Sequence, residues 1–228
     1  MRLAWGMVFS ACAVLPFVAC SGGDESFEKK ASYALGVDIA NNVKQFGTSL
    51  DRDALVDGLL DALSEREPRL SPEEVNELVR ELLAKAQEEE VGRRIGQAEA
   101  NMQEGEEFLA ENKAKDGVVE TASGLQYIVL KQGEGPSPAA TDRVTVHYEG
   151  KSLDGKVFDS SYERDEPSEF VLNEVISGWT EGVQLMKVGS KYRFFIPSEL
   201  AYGVRGAGQD IGPNATLIFE VELMSIER

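Results

Sequence analysis

The sequence predicts an α+β protein in three parts. An amino-terminal helical dimerisation arm leads into one long connecting helix, and a carboxy-terminal antiparallel β domain with a single short helix follows. Three observations carry this. Between about Phe27 and Lys115 apolar residues recur at helical spacing with almost no alternation. From Glu73 to Gly135 no proline interrupts the chain. From about Gly117 the apolar period becomes two.

In the arm, "ASYALGVDIANNVKQF" places Leu35, Ile39, Val43 and Phe46 along one face of a helix. "DRDALVDGLLDAL" does the same with Leu55, Leu59 and Leu63. Ser71-Pro72-Glu73-Glu74 is a helix start, with a serine N-cap, proline at the first helical position and a glutamate that completes a capping box. The apolar stripe Val75, Leu78, Val79, Leu82, Leu83, Ala86 follows. With no proline to stop it, this helix can run about forty residues, roughly 60 Å. Gly92, Gly96 and Gly105 each weaken it by about 1 kcal/mol against alanine. Apolar residues thin out after Val91, which predicts a largely solvated rod bridging two bodies. The shorter helices carry more apolar surface than one hairpin hides, so the arm is expected to dimerise.

In the β domain, "RVTVHYEG" puts Val144, Val146 and Tyr148 on one face, with Arg143, Thr145, His147 and Glu149 on the other. "TLIFEVEL" puts Leu217, Phe219, Val221 and Leu223 inside and Glu220 and Glu222 outside. The Asp-Gly of "LDGK" marks a turn between short strands. The expected boundaries are residues 27–116 for the helical domain and 117–228 for the β domain.

The first nineteen residues read as a leader: Arg2, then the apolar run "LAWGMVFSACAVLPF", then "FVAC" ending at Cys20. The run is too short for a membrane span, and the ending resembles a bacterial lipobox. An ordinary secretory signal would need a small residue where Cys20 stands. Cut there, the mature chain keeps only the lipidated cysteine, with no thiol left for a disulfide, metal or nucleophile. Several acyl chains on Cys20 would anchor the protein to a membrane. Ser21 after the cysteine, by resemblance to bacterial lipoproteins, implies the outer membrane, with the protein facing the periplasm or the cell surface. Residues 20–26 form a flexible tether.

A net charge of −17 argues against nucleic acid as a partner, because phosphates would be repelled. His147 is the only histidine and falls on the polar strand face. The sequence holds no zinc-ligand set, no glycine-rich phosphate loop and no Ser-His pairing at usable spacing, so neither a metal nor a cofactor is expected. Any catalysis here would need neither a nucleophile nor a strong base.

The β domain does concentrate aromatic and aliphatic residues at turns and strand ends, in "VHYEG", "GKVFDSS", "VISGWTEG", "ELAYG" and "GPNATLIFEVEL". In order and spacing these segments resemble FKBP-type peptidyl-prolyl cis-trans isomerases. With the helical arm and "EGEEFLAENKAKDGVVETASGLQY", the chain from about Phe27 onward resembles the macrophage infectivity potentiator branch. The resemblance implies a five- or six-stranded antiparallel half-barrel wrapped on a short helix, with a shallow apolar pocket between them. It implies Trp179 as the pocket floor and Tyr148, Phe158, Val175, Ile176 and Phe219 as walls, with Ile211 beside them. Asp159, Arg164 and Tyr202 would form a polar edge, and the Ile176 N–H would donate to a substrate carbonyl. The catalytic set so implied is Tyr148, Phe158, Asp159, Trp179, Tyr202 and Phe219; Arg164, Val175, Ile176 and Ile211 bind substrate.

The residue types suit the chemistry. Rotating a peptide bond costs about 18–20 kcal/mol in lost resonance, and an apolar pocket disfavours the dipolar planar amide relative to the twisted one. The resemblance implies proline-containing polypeptide clients, with folding of exported proteins as the role. The second reading is a holdase chaperone or interaction module that keeps the pocket. Two departures from the family pattern bear on the rim: Ser168 stands at a position that is often aromatic, and Asp210 at one that is often apolar.

Overall fold

The computed structural model describes residues 26–44, 50–64 and 66–227. The leader, Cys20, the tether as far as Glu25, and Phe46 lie outside them. The chain divides into two compact units between Arg69 and Leu70.

The first unit contains α1 (Phe27–Lys44) and α2 (Arg52–Leu63). Asp51 caps α2, its carboxylate accepting the Ala54 N–H at 2.8 Å, which satisfies one of the donors that a helix start leaves unpaired. Arg69 reaches back to Asp57 at 3.0 Å and Asp61 at 3.4 Å. No described residue of α1 or α2 is buried. Tyr33, Leu35, Leu60 and Leu63 stand more than half exposed.

The second unit opens with α3 (Pro72–Asn112), a single helix of 41 residues. The capping box forms as the sequence implies: the Glu74 N–H donates to Ser71 Oγ at 3.2 Å, and the Ser71 N–H to Glu74 Oε2 at 2.8 Å. The expectation of a largely solvated rod holds for the first half and fails for the second. Ala98, Asn101, Gly105, Phe108, Leu109 and Asn112 form a half-buried to buried stripe. Asn101 Nδ2 donates to the Pro213 carbonyl at 2.7 Å, and Asn214 Nδ2 to the Ala98 carbonyl at 3.3 Å. Asn112 Nδ2 donates to Gln126 Oε1 at 3.0 Å, while Gln126 Nε2 donates to the Leu109 carbonyl at 2.9 Å. The Phe108 ring lies 5.7 Å from that of Phe195, and Gly105 comes so close to Thr216 that a Cβ there would collide with it. This seam is polar and small, so an apolar stripe does not announce it.

The β domain is one antiparallel sheet of β1 (Val119–Glu120), β2 (Gln126–Lys131), β3 (Arg143–Ser152), β4 (Val157–Ser160), β5 (Ser168–Val171), β6 (Lys191–Ile196) and β7 (Leu217–Glu227). Their order is β1-β2-β6-β7-β3-β4, with β5 also on β3. The sheet thus has seven strands where the resemblance implies five or six. Beyond the two-residue β1, the reason lies at the β3 edge, where β5 pairs with Arg143–Val146 and β4 with Glu149–Lys151. Between them the chain leaves the ladder: Ser161 Oγ accepts the Tyr148 N–H at 2.8 Å, in place of a strand partner. Residues 161–167 loop out there.

Alternation runs as the sequence predicts. Val144, Val146 and Tyr148 of β3 and Leu217, Phe219, Val221 and Leu223 of β7 are buried, together with Tyr192, Phe194 and Ile196 of β6. The sheet wraps on α4 (Ser177–Gln184), which contributes Trp179 and Val183 to the same core. Among the described residues no helix is long and apolar enough to cross a membrane.

Candidate functional site

Trp179 sits in the first turn of α4, and Val175 and Ile176 precede it in extended conformation. The indole is only 4% exposed. Tyr148, Phe170 and Phe219 meet it nearly edge-on, with ring centroids 5.2, 5.5 and 5.3 Å away. That geometry suits the quadrupoles of aromatic rings and locks the indole plane. Its Nε1–H is buried without an acceptor among the described residues. The ring therefore contributes area rather than a hydrogen bond.

Above the indole lies a cavity of about 520 Å³, in the range of small-ligand sites. Tyr148, Phe158, Val175, Ile176, Trp179, Tyr202, Ile211 and Phe219 line it, and Asp159 stands at its polar edge. Phe158 buttresses Phe219 edge-on at 5.6 Å. Nine of the ten side chains expected to form one site are brought together here.

The tenth, Arg164, does not line the cavity. It belongs to the looped-out stretch between β4 and β5 and reaches the site from behind. Its Nη1 donates to Asp159 Oδ1 at 2.6 Å, and its Nη2 to the Tyr148 hydroxyl at 3.1 Å and to Ser168 Oγ at 3.3 Å. The Tyr148 hydroxyl in turn donates to Asp159 Oδ2 at 2.5 Å. Burial pushes the Asp159 carboxyl up, but the Tyr148 hydroxyl and the Arg164 guanidinium outweigh it and hold it below the usual carboxylate range. The Tyr148 phenol is raised by burial and by its bond to Asp159. Hydrogen bonds to Asp159 and then Tyr148 keep Arg164 charged. The edge is thus a closed ionic cluster with no proton to exchange near neutrality.

Two donors remain. The Ile176 N–H has no acceptor among the described residues, although the Ile176 carbonyl accepts from Trp179 and Thr180. The Tyr202 hydroxyl, on a side chain 40% exposed at the rim, is likewise unpaired among them. A polypeptide carbonyl on each would be fixed without displacing a protein partner.

Sequence reasoning passed over Phe170 and Glu174, which also line the cavity. Phe170 had a signal: it lies two residues after Ser168 on β5, and its ring packs on both Tyr148 and Trp179. An aromatic wall stands beside Ser168 after all, supplied two residues further along β5. Asp210 lies on the rim, its carboxylate held by Lys156 at 2.7 Å. His147 is away from the cavity, stacked on Tyr162 at 4.8 Å.

Residues 135–224 match the family described as FKBP-type peptidyl-prolyl cis-trans isomerase, and residues 28–129 match the domain described as amino-terminal to it. The chain is 48% identical over 203 residues to the FKBP-type 22 kDa peptidyl-prolyl cis-trans isomerase of Escherichia coli, covering 89% of this chain and 97% of that protein. It is 40% identical over 203 residues to the outer membrane protein MIP of Legionella longbeachae, covering 87% of this chain and 85% of that one. The crystal structure of FkpA from Escherichia coli superposes with a TM-score of 0.71 at 36% identity, covering 89% of this chain and 98% of that chain. An aromatic cavity floored by one indole, a helical arm ahead of it and likeness along nearly the whole chain lead to one conclusion: this protein belongs to the FKBP-type peptidyl-prolyl cis-trans isomerases, in the branch of the FkpA and macrophage infectivity potentiator proteins, and catalyses isomerisation of Xaa-Pro bonds.

Proposed function

We propose that the cavity over Trp179 is where the Xaa-Pro bond turns. The proline ring rests on the indole between Tyr148, Phe158 and Phe219, while Val175 and Ile211 flank the segment. The Ile176 N–H and the Tyr202 hydroxyl hold neighbouring carbonyls, so rotation is confined to one bond. The aromatic walls exclude water from the amide, which disfavours the dipolar planar form more than the twisted one. Asp159 and Arg164 act by fixing the Tyr148 ring. The observation that supports this most directly is a cavity walled by aromatic rings, with two unpaired donors at its margin and the Asp159 carboxylate already engaged by Tyr148 and Arg164.

The rest of the reading is coarser. Residues 27–116 form a helical domain through which two copies pair, supported by the exposed apolar side chains of α1 and α2. Residues 117–228 form the catalytic domain. Lipid on Cys20 tethers the dimer to the bacterial outer membrane, facing the periplasm or the cell surface, where it assists folding of exported proteins. The lipobox and the naming of the Legionella relative as an outer membrane protein support that location.

The test is exchange NMR of a short Xaa-Pro peptide with the chain beginning after residue 20. The uncatalysed step takes tens of seconds or more, so acceleration is easily read. Trp179→Ala is expected to lose most of it; unchanged turnover in that variant would end the assignment.

A further inference from the structure

The concavity does not stop at the aromatic cavity. Beyond the rim loop lies a second cavity of about 310 Å³, between α3 and the stretch that follows Tyr202. Arg93, Arg94 and Gln97 of α3 face Arg205, Gln209 and Gly212 across it. Gly208, Asp210 and Ile211 line both cavities, so the two adjoin across the rim loop. The chemistry changes from aromatic to guanidinium on the way.

In a protein of net charge −17 this cleft carries positive charge to spare. Its own carboxylates are already engaged. Glu90 takes two hydrogen bonds from Arg93, at 2.9 and 2.7 Å, and Asp210 is paired with Lys156 at 2.7 Å. Arg205 has no carboxylate within ion-pair distance among the described residues, and Arg94 none within 4 Å, although its charge also bears on the Glu90 carboxylate that Arg93 holds. Arg94 Nη2 donates to the Arg205 carbonyl at 3.2 Å, which draws the two residues together. The loop is also pinned to α3 by Asn101 and Asn214, so both walls are held in place before anything binds.

We propose that this cleft is a subsite for an acidic side chain of the client, an Asp or Glu a few residues from the proline, read by Arg94 and Arg205. An extended residue spans about 3.3–3.6 Å, so two to four residues reach about 7–14 Å beyond the proline, towards the adjoining cleft. The proposal rests on the aromatic cavity being the proline site. It makes α3, otherwise a spacer, a contributor to substrate choice. It also runs against the global field, since the net charge alone would favour a neutral peptide over an acidic one.

The test uses the full chain and a matched pair of proline peptides, with Glu or Gln at the second to fourth residues on either side of the proline. Exchange NMR reads the affinity and the cis-trans rate of each. The Glu peptide should bind about fivefold more tightly at low salt, the scale of exposed charge pairs, with the advantage fading as salt screens it. In Arg94→Gln/Arg205→Gln the ratio should fall to about one, while the salt dependence of the unaltered chain gives a reading independent of any variant. Equal affinities at low salt would overturn the subsite, and so would an advantage that survives in the double variant. Failure to accelerate either peptide would instead count against the cavity reading, with the affinity ratio still deciding the subsite.

Discussion

The Tyr148 hydroxyl lies 2.5 Å from Asp159 and 3.1 Å from Arg164, and the three groups share one ionic state over a wide pH range. Because the folded-state pKa of Asp159 is depressed, its contribution to stability is present above the unfolded carboxylate value, about 3.9. That contribution is lost as pH falls through the lower folded value. Thermal melts between about pH 2 and about pH 7 should therefore show an acid step that Asp159→Asn makes smaller, the rest belonging to other depressed carboxylates such as Glu220. The rate, by contrast, should stay flat from about pH 5 to about pH 9, since the Asp159–Tyr148–Arg164 cluster exchanges no proton there. A bell-shaped pH–rate profile would sink the desolvation account. At this scale most of the site was legible, because Tyr148, Phe158, Trp179 and Phe219 stand at spaced positions in quotable motifs. Arg164 was legible as a member of the site but not in its role behind it, since that depends on the break between β4 and β5.

Among the elements, α3 is the most informative. Its start was readable down to the reciprocal bonds of Ser71 and Glu74, because a capping box is local chemistry. Its docking was not. Gly96 and Gly105 look alike in the sequence, and each should gain about 1 kcal/mol on replacement by alanine. The structure separates them. A Cβ on Gly96 meets nothing within 4 Å, while one on Gly105 runs into buried Thr216. Overpacking of that kind costs about 1–3 kcal/mol, which offsets or exceeds the helix gain. Gly96→Ala should raise the melting temperature of the chain and Gly105→Ala should lower it. Equal rises would mean that the seam with the β domain is loose.

For the whole molecule, the exposed leucines of the arm matter most. Leu60 is 52% and Leu63 81% exposed, and apolar area of that extent is normally covered by a partner. Sedimentation of the chain beginning after residue 20 should give a dimer at micromolar concentration. Leu60→Glu with Leu63→Glu should shift it towards monomer while short-peptide turnover continues. A monomer in the unaltered chain would remove the arm's proposed role. A dimer would present two proline sites, so a long client held at both would gain from effective concentration rather than from tighter contacts.

By itself the sequence determined the kinds of elements, their order, which strand faces turn inward, and the aromatic set around Trp179. The first three follow from local propensity or from the period of apolar residues, which one chain displays openly; the aromatic set follows only from the resemblance of its motifs to the FKBP-type isomerases. Only the tertiary structure decided that the second half of α3 docks on the β domain through Asn101, Gly105 and Asn112. It alone placed Phe170 on the cavity wall and set an arginine-lined cleft beside the aromatic cavity. These features rest on side-chain amides bonded to backbone carbonyls and on the close approach of small residues. Such contacts leave no hydrophobic periodicity, and those of Arg94, Asn101 and Asn214 join segments more than a hundred residues apart.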